Sequence, residues 1–341
     1  MSRALKVVVS LAFLAVLVWW ADWTRLPEHL SRIQLSVALL VLLAYAVQLF
    51  ISAWKWQWAL ILHDLHLRYG LLARVYWIAF FLNNLLPTSI GGDAYRVYRT
   101  MPDDGFRSRA LSAVIVERLI GLVALLAFGL CGAWVLASEL AFARAFLAVL
   151  FAGLAAAVVL VAALRSTTLR PHIVRLMRHP WLAAVEHNVG LLLRARAAYV
   201  PLIAISLLFQ AQAIGINYLL FAGTGDPVSL AKCALITAVA GVATVIPFSI
   251  NGIGILEGAF AGTAIALGVN YEHALVVAIL IRVLVLPLSA ISGVLYACEP
   301  AESHLPALRK HSGDVALDEG SPNQPVGIGA RPLADSGQAR R

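Results

Sequence analysis

Asn84-Leu85-Leu86-Pro87-Thr88-Ser89-Ile90-Gly91-Gly92-Asp93-Ala94-Tyr95-Arg96 interrupts an apolar stretch with a proline, a glycine pair and a charge cluster. No straight helix runs through it: the proline removes a backbone donor and the glycines favour a turn. Backbone groups freed at membrane depth cannot face hydrocarbon, so the turn is buried in protein or lines a wet cavity. A turn that opens a helix also presents unpaired N–H groups and a positive dipole end, which suit a phosphate.

A second stretch repeats the first. Pro247-Phe248-Ser249-Ile250-Asn251-Gly252 matches residues 87–92 at the proline, the serine, the isoleucine and the last glycine. Each turn follows an apolar segment and precedes an arginine set inside a long apolar run, Arg118 and Arg282. Broken segments repeated in this way are the mark of inverted-repeat transporters, whose substrate sites lie near the midplane.

The composition agrees. Of 341 residues, 61% are hydrophobic and 13% charged, whereas a soluble domain is roughly half apolar and about a quarter charged. The runs 5–21, 35–54, 110–135, 146–164, 200–221 and 274–298 are of spanning length or close to it. The net charge of +8 sits in a few loops, which fits anionic headgroups and the positive-inside bias and speaks against nucleic acid. Cys131, Cys233 and Cys298 fall in apolar stretches without metal-ligand spacing and read as buried small hydrophobes. Arg3 and Lys6 precede the first run, but Trp19, Trp20 and Trp23 stand where a signal cleavage site would be, so it reads as a membrane helix.

Charge sets the topology. Arg3 and Lys6 place the N-terminus inside, and Lys55, Arg68 and Arg74 return to that side. Were 71–86 a full span, Arg96, Arg99, Arg107 and Arg109 would lie outside; a re-entrant hairpin over 71–87 removes the conflict. The basic loop 165–196 then lies inside, and Arg309 and Lys310 put the C-terminus inside. Segments 228–246 and 252–269 are either a second hairpin or two spans, and charge does not separate the two. The expected fold is an all-α integral membrane protein, a helical bundle of two inverted-repeat halves, about 1–140 and 141–298. It would hold about six spans plus about two re-entrant hairpins, or alternatively about eight spans. Residues 299–341 read as a disordered cytoplasmic tail. The expected location is the inner (cell) membrane of a bacterium.

Ionisable groups inside spans are costly and mark function. Arg118 and Arg282 are forked, permanent cations suited to a phosphate, or halves of ion pairs with Glu117, Glu257 or Asp93. Asp93 and Arg96 lie one helical turn apart and can pair, while Arg96 and Arg99 read as snorkelling interfacial residues. Ser89, Gly91, Gly92, Ser249, Asn251 and Gly252 offer turn N–H groups, and Asn83 and Asn84 line the cavity. Glu257 balances a cation, takes a proton or caps its helix. His63 and His66 beside Asp64 read as a solvated loop pair rather than a metal site, and Trp54, Trp56 and Trp58 as an aromatic belt around Lys55. No metalloprotease, P-loop or hydrolase motif is present in the sequence, so neither a cofactor nor an enzyme is expected.

On residues 84–96, on Glu117-Arg118-Leu119-Ile120-Gly121 and on Pro247-Phe248-Ser249-Ile250-Asn251-Gly252-Ile253-Gly254-Ile255-Leu256-Glu257-Gly258, the chain resembles the transmembrane region of lysylphosphatidylglycerol synthases, the flippase-like domain family. The resemblance covers roughly residues 5–298 and implies a lipid-translocating module. In the full-length synthases that region is thought to move aminoacylated phosphatidylglycerol outward. No aminoacyl-transferase stretch follows residue 298, so a free-standing member is expected. Leu256 stands where many relatives carry a basic residue, so the resemblance does not extend to the headgroup. The expected function is transfer of an anionic or phosphate-bearing (glyco)lipid across the membrane. The alternatives are a small-solute transporter and a membrane partner of a lipid-modifying enzyme or glycosyltransferase. The expected substrate partner is a membrane phospholipid or lipid-linked molecule.

Overall fold

Apolar helices in lipid are not driven together by water, so they associate where small residues let backbones approach. The computed structural model, which describes residues 34–85, 90–101, 104–165, 196–244 and 255–299, follows this rule. Its helices are α1 Leu35–Ile61, α2 Tyr69–Leu85, α3 Ile90–Thr100, α4 Asp104–Leu136 and α5 Ala141–Arg165. After a 3-10 turn, Arg196–Tyr199, come α6 Val200–Gly223, α7 Leu230–Ala243, α8 Ile255–Ala266 and α9 Tyr271–Ala297. Among the described residues four helices are long and apolar enough to cross a membrane: Leu35–Ile61, Phe106–Leu136, Ala197–Gly223 and Tyr271–Ala297. The chain is a multi-span all-α membrane bundle. The expected first span at 5–21, both turn centres and the tail beyond 299 lie outside the described residues.

Long helices pack on short ones that are distant in sequence. α4 lies against α7, and α2 against α9. In the first contact Leu125 meets Gly241, Gly129 meets Ala238 and Gly132 meets Ala231, so the two helices run antiparallel. In the second, Gly293 admits the Phe81 ring, and Asn84 donates through Nδ2 to Ser289 Oγ at 3.4 Å. α1 and α6 meet between them, where Gln212 Nε2 donates to the Ala44 carbonyl at 2.8 Å.

Gly132 is the tightest of these contacts to change, because a Cβ there would stand 2.5 Å from a backbone oxygen, that of Ala231. Gly132→Ala should lower stability by about 1–3 kcal/mol through overpacking. Gly215→Ala, with nothing within 4 Å, should leave stability unchanged or raise it. Thermal unfolding of the two variants in detergent checks the pair, and equal midpoints would contradict the close α4–α7 approach.

The short helix α3 is held by α2. A Cβ at Gly92 would meet the Ala79 carbonyl oxygen, and the Gly92 N–H donates to Asn83 Oδ1 at 2.8 Å. Asn83 therefore caps the open N-terminal turn of α3 from a neighbouring helix, satisfying a donor that no intrahelical carbonyl reaches. The same cap sets the position of Asp93, one residue on.

Candidate functional site

Asp93 in the first turn of α3 faces α4, where its carboxylate accepts from Arg118 Nε at 2.7 Å and also contacts Arg118 Nη2. Arg96, one turn further along α3, donates to Asp93 at 2.7 Å and to Glu117 at 3.0 Å. Glu117 in turn lies 3.6 Å from the Lys55 ammonium of α1. The result is a continuous chain, Lys55–Glu117–Arg96–Asp93–Arg118, of three cations and two carboxylates. Its formal charge is positive by one.

The chain is sealed at one end and open at the other. Glu117 and Arg96 are each 2% exposed, and the Arg96 guanidinium lies 4.9 Å and 4.6 Å from the centres of the Trp56 and Tyr76 rings. Arg118 has a side chain 53% exposed. It lies on the outward face of α4 with exposed Leu111 two turns before it and half-buried Ile115 and Leu122 one turn to either side, all apolar. A half-exposed cation on an apolar stripe, inside a helix long enough to cross the bilayer, faces lipid or a groove that opens to it.

The second half holds a matching pair. Glu257, in the first turn of α8, accepts from Arg282 Nε at 2.5 Å. Acid and arginine stand 25 residues apart in both pairs, Asp93 with Arg118 and Glu257 with Arg282. Beside Glu257 lies a cavity of about 170 Å³ whose walls include Tyr45, Asn217, Thr237 and Phe260. Asn217 donates through Nδ2 to Thr237 Oγ1 at 2.8 Å.

A third cluster ties α3 to the end of α9. Glu299 accepts from Arg99 Nε at 2.9 Å and from the Tyr95 hydroxyl. Burial, then the hydrogen bond to Glu299, pushes the Tyr95 hydroxyl above its usual range, so it stays a donor.

Of the site residues expected from sequence, the structure brings Asp93, Arg96 and Arg118 together and, separately, Glu257 and Arg282. Asn84 faces Ser289 on α9, and Gly91 and Gly92 lie in the first turn of α3. Ser89, Ser249, Asn251 and Gly252 lie outside the described residues.

Several readings change. Arg96 is not an interfacial snorkel but the buried centre of the ion chain, and Lys55 is not a loop cation but a buried one. Trp56 is wholly buried against Arg96 rather than belting the surface, although Trp54 is exposed. His63 is buried, with its Nδ1 2.9 Å from the Ala59 carbonyl, whereas His66 is exposed, so only the latter is solvated. Among the described residues no group of three His, Cys, Asp or Glu side chains could hold a metal. Cys233 is buried as expected, but Cys131 and Cys298 are exposed. Glu117, expected as a possible partner of Arg118 or Arg282, is instead paired with Arg96 and Lys55, which spacing along the chain does not indicate.

A multi-span all-α bundle of this kind is an integral membrane protein. The profile described as "Lysylphosphatidylglycerol synthase TM region" matches residues 5–293, and the chain belongs to that family. It is also similar to the UPF0104 membrane protein PH1989 of Pyrococcus horikoshii, at 25% identity over 131 residues. That match covers 38% of this chain and 39% of the relative, less than two thirds of the relative's length.

Proposed function

We propose that the chain carries an anionic or phosphate-bearing lipid between the leaflets, with the phosphate held at Arg118. One observation carries this reading: a chain of charges with one cation in excess ends in a half-exposed arginine on an apolar helix face. An anion arriving there balances the excess and needs no acid of the protein to move first. Asp93 engages Nε and Nη2, which keeps the guanidinium in place without a ligand and leaves Nη1 to the phosphate. The acyl chains stay against the apolar stripe in lipid, so only the headgroup crosses the polar groove. Such a groove lowers the several-kcal/mol cost of moving a charge through hydrocarbon.

The equal spacing of the two pairs and the reciprocal packing of α4 on α7 and α2 on α9 support an inverted repeat, with α2–α3 and α7–α8 as re-entrant hairpins. In this arrangement the loop between α3 and α4 is cytoplasmic. Ser108 is exposed, so Ser108→Cys in a background lacking Cys131 and Cys298 should react with an impermeant thiol reagent only from the cytoplasmic side. Labelling from outside in intact cells would overturn the hairpin.

The function is tested with purified protein in vesicles carrying a fluorescent phospholipid, its outer pool destroyed by an impermeant reductant. Loss of signal beyond the outer-leaflet fraction is expected with the protein and not without it. If phosphate-bearing lipids stay half protected whether or not the protein is present, the proposal fails.

A further inference from the structure

The equal spacing lets the halves be compared residue by residue between acid and arginine. Asp93 corresponds to Glu257 and Arg118 to Arg282, which sets Arg96 against Phe260 and Glu117 against Ile281. In the first half the space beside the acid is filled by the chain's own cation. Arg96 donates to Asp93 at 2.7 Å while lying over the Trp56 and Tyr76 rings. In the second half the matching positions carry no charge. Phe260 and Ile281 instead line the cavity of about 170 Å³, with Glu257 and Tyr45 in its wall and no lysine or arginine among its described lining residues.

We propose that this cavity binds a primary ammonium, the amine of an ethanolamine-type lipid headgroup, seated beside Glu257 as Arg96 is seated beside Asp93. The proposal rests on the lipid-transfer reading and names a substrate class for it. Each requirement of an ammonium is met by a residue on the wall. Glu257 supplies the opposite charge. Tyr45 and Phe260 place aromatic rings in the wall, the Phe260 ring being stacked on Phe221 with centroids 5.8 Å apart. Asn217, whose Nδ2 is engaged by Thr237, keeps its amide oxygen as an acceptor. Arg282 stands against the same Glu257 carboxylate, so at this station, separate from Arg118, a phosphate two carbons from the amine meets a second cation. The volume suits a headgroup of a few heavy atoms; pockets for drug-sized ligands run to about 300–1,000 Å³.

The test measures binding, without transport, on the full chain in detergent. The probes are a short-chain phosphatidylethanolamine, its N-acetyl derivative and free phosphoethanolamine. The ammonium form should bind about tenfold or more tighter than the N-acetyl form, which keeps the phosphate and loses the charge. Free phosphoethanolamine should bind more weakly than the lipid; equal affinity would assign the cavity to a soluble amine and overturn the lipid source. Phe260→Arg should place a guanidinium where Arg96 lies in the other half, abolish the preference for the ammonium form and leave the protein folded by thermal unfolding. Equal binding of the ammonium and N-acetyl lipids to the unmodified chain would overturn the site without any variant. Because no transport is read, failure here leaves phosphate transfer at Arg118 standing, and failure of transfer in vesicles leaves the binding result standing.

Discussion

Glu117→Gln is expected to destabilise the membrane domain by about 3–5 kcal/mol, the loss that follows when one partner of a buried ion pair is removed. Glu117 accepts from Arg96 and faces Lys55, and all three are buried. Neutralising it leaves Lys55, Arg96 and Arg118 with Asp93 as their single carboxylate within the chain of charges. Neither buried cation can reorient to water, since Arg96 is fixed between Trp56 and Tyr76 and Lys55 lies over the Phe209 ring. The detergent-solubilised variant should unfold at a markedly lower temperature and accumulate poorly in cells. Lys55→Met in the same background should recover part of the loss, because it withdraws one of the stranded charges. Lys55→Met alone should be tolerated, since it leaves two cations facing two carboxylates. A Glu117→Gln protein as stable as the parent would mean that the ion chain does not hold α1, α3 and α4 together.

How far this site could be read in advance depends on the range of each interaction. The apolar runs located the described long helices with ends off by up to seven residues, and Arg118 and Arg282 stood out because a charge within a span is rare. Asp93 and Glu257 were among the partners that spacing allowed. Glu117 was harder to place, because residues adjacent on a helix point to different faces. Arg118 therefore turns outward while Glu117 turns in, and no short window of sequence says which. Lys55 misled for a related reason. A lysine ends an apolar run on any hydropathy window, yet α1 continues to Ile61 because the charge is met by Glu117, far along the chain. Arg96 carries the same lesson: a cation at the end of a broken segment reads as interfacial until the helices that bury it are known. The cavity beside Glu257 could not be read at all, because it depends on what Phe260 and Ile281 fail to fill.

Arg118→Lys is expected to give the opposite pattern to Glu117→Gln, with transfer reduced about tenfold or more and stability nearly unchanged. A single ammonium can hold Asp93 or a lipid phosphate, but it cannot grip the carboxylate with one edge and the phosphate with the other as a guanidinium does. The stability cost is small because lysine keeps the positive charge beside Asp93, and the Arg118 side chain, 53% exposed, gives up little packing. Asp93 also keeps Arg96 after the change, so no buried carboxylate is stranded. Transfer of a fluorescent phospholipid in vesicles and thermal unfolding should therefore be measured on the same preparations. Should Arg118→Lys instead lower stability as far as Glu117→Gln while moving lipid at the parental rate per folded molecule, Arg118 would be one more strut of the ion chain. The excess cation would then have to be balanced by something other than a passing phosphate. With the stability kept and transfer lost, the outward face of α4 is where the headgroup enters, and the buried remainder of the chain is what holds that arginine at the lipid's edge.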